Sequence, residues 1–327
     1  MKVLFIGGTG NISTSSSCLA LENGFELWHL NRGASGQTLQ GVKNIHCNVN
    51  DRAAMVQALN EHHWDAVVNW IAFTPADIER DLTLFRGKTA QYLFISSASC
   101  YQKPPQSPII TERTPLSNPY WQYSRDKIQC EQRLLEAHRK EGFPCTIVRP
   151  SHTYSRVIPI AVAGWTEYTA IDRIKRGLPV VVHGDGTSLW VLTHADDFAT
   201  GLTSLLGNQQ AIGEAYHITS DEVLSWNQIY QHIGQALGVE PHLVHVSSDK
   251  ISRYNEDYRG TLLGDKSHSV IFDNSKVKAV CPRFQCTTEF ADGIRSTLDW
   301  FEAAPERQHI NENDNKMMDH LIAAEQV

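Results

Sequence analysis

Residues 2–13 read KVLFIGGTGNIS, an apolar run that ends in a glycine turn and leads into TSSSCLALENG (14–24), a segment with helical spacing. Strand, glycine turn and helix in that order gather backbone N–H groups and the positive helix end at one point, where a pyrophosphate would be held. Gly7 allows the tight turn and Gly10 lets the backbone approach a phosphate, while Ser13 stands where a Gly-x-x-Gly-x-x-Gly loop has its third glycine. Ser13 is small, and its hydroxyl suits a phosphate contact or a helix cap. Glycine turns between strands and helices are common without any ligand, so the surrounding chain decides the meaning of this one.

Outward from that loop, FELWHL (25–30), NIHC (44–47), DAVVNWIA (65–72), QYLFISS (91–97) and CTIVRPS (145–151) are short apolar runs that read as strands. Between them TSSSCLALENG, DRAAMVQALNEHH (51–63), PADIERDLTLF (75–85) and SRDKIQCEQRLLEAHRKEG (124–142) carry apolar residues at helical spacing. This alternation predicts an α/β fold with a doubly wound, mostly parallel sheet, because right-handed crossovers pack back on the sheet. Residues 1–150 are expected to form a dinucleotide-binding domain. Residues 151–327, where the alternation loosens, are expected to form a smaller mixed substrate lobe, with some strands and helices returning to the sheet. Met317, Met318, Leu321 and Ile322 share one helical face, which predicts a C-terminal helix docked on the body.

Composition narrows the function classes. The 327 residues carry 29 Lys and Arg against 36 Asp and Glu, a net charge of -7, and the basic residues do not cluster, so a nucleic-acid surface is not expected. No apolar run approaches a membrane span, and no charged leader with an apolar segment precedes the first strand, which places the chain in the cytoplasm. Seven scattered cysteines fit reduced thiols, and neither they nor the histidines show metal-ligand spacing, so no metal is expected.

Cofactor choice is read at the end of the second strand, where an acidic side chain would bind the ribose diol of NAD. Here Asn31 and Arg32 stand instead, so NADP is favoured and NAD remains the alternative, since a guanidinium matches a phosphate. Farther on, Tyr123 and Lys127 are four residues apart and share a helical face, so the ammonium is expected to lower the phenol. Tyr123 then serves as an acid/base toward a substrate hydroxyl. Ser97, at the C-terminal end of the fifth strand, is placed to hydrogen-bond the same oxygen.

With these residues in view the chain resembles the extended branch of the short-chain dehydrogenase/reductase superfamily, the NAD-dependent epimerase/dehydratase type with a Rossmann-type sheet. The stretches GGTGNIS, NWIAF, FISSASCYQ, YSRDK, VRPSHTY and GDGTSLWVLTHADDFATG carry the resemblance over nearly the whole chain. It implies catalytic roles for Ser97, Tyr123 and Lys127. It implies that Gly7, Thr9, Gly10, Asn11, Ile12, Asn31, Arg32, Asn48, Ala72, Phe73 and Pro150 line the dinucleotide, and that Ser99, His152 and Trp190 face a small hydroxyl or carbonyl substrate. A homodimer is also implied.

The departures from the family pattern concern chemistry. Ala98 and Ser99 replace the Asp and Glu of sugar dehydratases, which points away from water loss. Trp190 replaces an arginine that holds a substrate diphosphate, and His152 replaces an asparagine that contacts nucleotide sugars, which points toward a smaller or undecorated substrate. The expected activity is NAD(P)-dependent oxidation, reduction or epimerisation at a secondary hydroxyl. The alternative is a non-catalytic dinucleotide- or RNA-binding member of the same fold.

Overall fold

A computed structural model describes residues 1–33 and 39–325. Strands β1 (Lys2–Ile6), β2 (Glu26–Asn31), β3 (Lys43–His46), β4 (Ala66–Asn69), β5 (Tyr92–Ile95), β6 (Cys145–Pro150) and β7 (Ala215–Ile218) form one sheet of order β7-β6-β5-β4-β1-β2-β3. Every pairing in it is parallel. The central strands are buried on both faces: Val3, Leu4, Phe5 and Ile6 of β1 have no exposed surface. That is why they read as unbroken apolar runs rather than alternating ones. The order reverses between β1 and β4, and a doubly wound sheet opens a crevice there, beyond the carboxyl ends of its strands.

Helices α1 (Asn11–Glu22), α2 (Arg52–Leu59), α3 (Pro75–Phe85) and α4 (Gln122–Glu141) cross over between the strands. In α1 the buried face is Ser13, Thr14, Ser16, Ser17 and Ala20, which are small rather than apolar. This small face lies against α5 (Ala195–Leu205), whose own Ala195, Ala199 and Gly201 are buried. The buried serine hydroxyls are satisfied locally, as when Ser17 Oγ donates to Ser13 O at 2.7 Å. Both α5 and β7 lie after residue 150, yet β7 pairs with β6 in the sheet and α5 packs on α1.

The remaining chain builds a second lobe on short two-stranded pairs, His152–Tyr154 with Leu192–His194, Val180–His183 with Leu243–Val246, and Leu189–Trp190 with Leu224–Ser225. Its core gathers Trp190, Trp226, Ile229 and Tyr230, and helix Glu312–Ala323 adds Met317, Met318, Leu321 and Ile322 to it. Among the described residues no helix is long and apolar enough to cross a membrane.

Candidate active site

The glycine loop after β1 is built for close approach. Gly7 and Gly8 sit at φ +97° and +114°, a region that favours glycine, and a Cβ on Gly8 would lie 2.6 Å from His29 Nε2. Ser13 acts as a cap: its Oγ accepts from the Gly10 N–H at 2.8 Å. The first-turn amides of α1 have no intrahelical partner and no acidic side chain beside them, so they suit an anion.

Two cavities adjoin this turn and share Gly7, Thr9, Ile71 and Phe73, so they form one groove along the carboxyl edge of the sheet. The outer one, about 620 Å³, is lined by Asn31, Arg32 and Asn48. The inner one, about 540 Å³, is lined by Gly10, Asn11, Ile12, Tyr123, Lys127 and Pro150. A groove of this length, with a bare glycine turn at its middle and free amides above, fits a dinucleotide. Two expected lining residues act differently. The Asn11 carboxamide clamps the second lobe, donating to Thr153 O at 2.8 Å and accepting from Arg156 N–H at 2.9 Å. Ala72 is fully buried and presents its carbonyl to Lys127 rather than a side chain to the groove.

Tyr123 and Lys127 lie on the first turns of α4 and both reach the inner cavity. Lys127 is 1% exposed, and its Nζ donates to Ala72 O and Ile95 O, each at 2.7 Å. Burial pushes this ammonium down to about 8. Burial also raises the Tyr123 phenol to about 12, opposed by the Ser97 hydroxyl. The expected lowering of the phenol by the ammonium is therefore absent in the free protein: two of the three N–H donors of Lys127 already serve carbonyls, and Nζ lies 5.8 Å from the Tyr123 ring centre.

Ser97 begins a single 3-10 turn, Ala98–Cys100, that folds Ser99 inward. Ser97 Oγ and Ser99 Oγ are 2.8 Å apart, and Ser99 Oγ lies 2.7 Å from Ser124 Oγ. Ser99 is 3% exposed, and of this serine run only Ser96, not Ser97 or Ser99, is among the residues lining the inner cavity. Beneath lies a buried ionic network: Arg149 holds both Glu131 oxygens at 2.9 and 2.6 Å, and Glu131 accepts from Ser96 Oγ at 2.5 Å. It ties β5, α4 and β6 together under the site. Only Arg149, a charge inside the apolar strand CTIVRP, hinted at it; Glu131 lies unremarked in a charged helix. Cys100 is buried, with its thiol pushed up to about 12, and is no nucleophile.

His152 and Trp190 lie in the second lobe and neither lines the groove. His152 is 7% exposed, and Trp190, at 2%, packs its ring 5.6 Å from that of Trp226. Two tryptophans do line the inner cavity, Trp70 and Trp165, and of these Trp165 is 48% exposed. Among the described residues no group of three His, Cys, Asp or Glu side chains is placed to hold a metal ion.

Comparison with known proteins agrees with this geometry. Residues 3–219 match the NAD dependent epimerase/dehydratase family. The 2'-dehydrokanamycin reductase of Streptomyces kanamyceticus is 24% identical over 287 residues, covering 87% of this chain and 80% of that protein. The chloroplast stem-loop binding protein of 41 kDa b from Arabidopsis thaliana is 24% identical over 261 residues, 75% of this chain and 65% of that one. Among solved structures, the UDP-glucose 4-epimerase of Thermotoga maritima with UDP-glucose has the same fold, with a TM-score of 0.74 at 17% identity over 93% of this chain and 99% of that one.

Proposed function

Because the chain belongs to the NAD-dependent epimerase/dehydratase family of the extended short-chain dehydrogenase/reductases, we propose that it is an NAD(P)-dependent oxidoreductase or epimerase. Its target is a secondary hydroxyl, or the matching carbonyl, of a sugar-like or other small substrate. The observation that carries this reading is the meeting of Tyr123 and Lys127 at the inner end of the groove that begins with the glycine turn, with the Ser97 hydroxyl beside the phenol. The dinucleotide, when bound, takes up or returns a hydride. Tyr123 holds the proton that the substrate oxygen gains or loses. Its phenol stays protonated at neutral pH in the free protein, so it is set to donate toward a carbonyl. Ser97 fixes that oxygen, and Lys127 keeps a positive charge beside the phenol.

Two finer points follow from the lining. Arg32 and Asn31 border the outer cavity, while the carboxylate there, Asp77, already accepts from Phe73 N–H and Thr74 N–H at 2.9 Å each. That arrangement supports NADP over NAD. Among the described residues no Asp or Glu lines the inner cavity to serve as the acid that water loss requires, which supports oxidation, reduction or epimerisation over dehydration. Family resemblance supports a cytoplasmic homodimer packed through helices that include α4. The Arabidopsis relative is named for stem-loop binding, but the net charge of -7 opposes a nucleic-acid surface here.

The test is Tyr123→Phe. It should lower turnover at least about a thousandfold, in line with loss of a general acid, while binding of NADPH, followed by its fluorescence, is unchanged. Undiminished turnover overturns the mechanism.

A further inference from the structure

Resting on the oxidoreductase reading above, we propose that Trp165 and His152 form the seat of the substrate and that this seat takes an uncharged, hydroxyl-bearing ring rather than a nucleotide diphosphate. Trp165 lines the inner cavity with Tyr123 and leaves 48% of its surface exposed. A large indole held open to solvent beside a reacting centre offers a flat apolar face, the surface on which the C–H face of a ring packs. Its loop is anchored on both sides while the indole stays free. Ile158 N–H donates to Trp165 O at 2.6 Å, and Gly164 N–H reaches Glu167 Oε1 and Asp314 Oδ2, each at 3.2 Å. Ala163, at φ +76°, holds a conformation that L residues rarely adopt, and its N–H donates to Tyr258 Oη at 3.0 Å.

Behind the indole lies His152, its ring centre 5.4 Å from that of Trp165. It is 7% exposed, and neither Nδ1 nor Nε2 has a hydrogen-bond partner. Trp190 Nε1, beside the same Trp226 ring that His152 approaches at 6.3 Å, is also unpartnered. Buried polar atoms without partners are costly, so three in one cluster next to an active site mark a place where a ligand supplies the partners. Burial holds His152 well below its usual range, so the ring is neutral. A neutral imidazole presents one donor and one acceptor. A hydroxyl can accept from the one or donate to the other, so a ring bearing several hydroxyls suits both; a phosphate oxygen satisfies only the donor, and an ammonium only the acceptor.

Charge points the same way. Among the described residues lining the inner cavity Lys127 is the one cation, and two carbonyls hold it. Two lysines near this cluster, Lys103 and Lys266, both lean on Asp265, at 3.5 and 3.6 Å, and neither lines the groove. Nothing there pairs with a diphosphate. Ring entry then needs Trp165 to swing on its anchored loop so that one substrate hydroxyl reaches His152.

The experiment is saturation-transfer NMR on the protein loaded with NADPH, using methyl glucoside, methyl galactoside and inositol against UDP-glucose. At least one uncharged ring should receive saturation, and UDP-glucose should bind no better than that ring. Trp165→Ala should weaken the ring's binding at least fivefold and Trp165→Phe should retain most of it. His152→Asn, which keeps a donor and an acceptor, should retain binding. His152→Leu should lose it while raising the melting temperature by a few degrees, an outcome that a merely structural histidine would not give. The proposal is overturned by unchanged binding in both Trp165→Ala and His152→Leu, by a tenfold preference for UDP-glucose, or by no uncharged ring binding to protein shown to hold NADPH. Failure to hold either NADPH or NADH defeats the oxidoreductase reading itself, and this proposal with it.

Discussion

Replacing Glu167 by Gln tests how the loop that carries Trp165 is held. Glu167 and Asp314 share one donor, the Gly164 N–H, at 3.2 Å each. Burial first, and the Asp314 carboxyl second, raise Glu167 from 4.5 to about 7, against the Thr169 hydroxyl and the Gly164 N–H. A carboxyl whose folded pKa lies above its unfolded one keeps a proton that the unfolded chain has released. Stability therefore falls as pH rises from about 4.5 to about 7 and stays reduced above that. Each pKa unit is worth about 1.4 kcal/mol, so the ceiling is about 3 kcal/mol, and solvent screening lowers the expected effect to about 1–2 kcal/mol. The glutamine keeps an oxygen for Gly164 N–H and carries no charge. Urea unfolding at pH 5 and pH 8, followed by tryptophan fluorescence, should show the variant near wild type at pH 5 and about 1–2 kcal/mol more stable at pH 8. The same difference at both pH values would refute the shared-proton account.

Three further outcomes follow from the site. Gly8→Ala places a Cβ against the His29 ring at a φ that L residues avoid; it should cost about 2–4 kcal/mol in thermal stability and abolish NADPH binding, and a variant that still binds would show that the turn can open. Arg32→Ser should weaken NADPH binding about tenfold by titration, the worth of one charge-assisted contact, and leave NADH unchanged; equal losses for both would remove the basis for preferring NADP. Ser124→Ala cuts the hydroxyl chain Ser124, Ser99, Ser97 and should lower kcat about three- to tenfold without changing KM, the effect of one hydrogen bond; an unchanged kcat would leave the chain a packing feature.

The cofactor end was legible because its determinants are local. A strand buried on both faces must be an apolar run, so β1, β4, β5 and β6 announce themselves, and Gly7 and Gly8 are held at a positive φ by the turn itself. Ser13 caps its own helix and needs nothing distant to do so. By contrast β7, read as AYHI inside a region of loosened alternation, takes its place only because β6 offers an edge. The serines of α1 make sense only once α5 lies against them.

The substrate end was less legible because side-chain direction there depends on tertiary turns. One 3-10 turn after β5 turns Ser99 away from the groove and into a hydroxyl chain. The strand His152–Tyr154 leaves Ser151 and Thr153 on the groove and sends the His152 ring behind them. A loop from 155 to 168 then carries Trp165 across the opening, so the exposed tryptophan of this site is 25 residues from the one at 190 that its neighbours in sequence suggested. What the two readings share is a tryptophan face beside His152. The proposed selectivity against a diphosphate rests on the lack of a free cation among the described residues lining the inner cavity, where two carbonyls hold Lys127, rather than on any single side chain placed there.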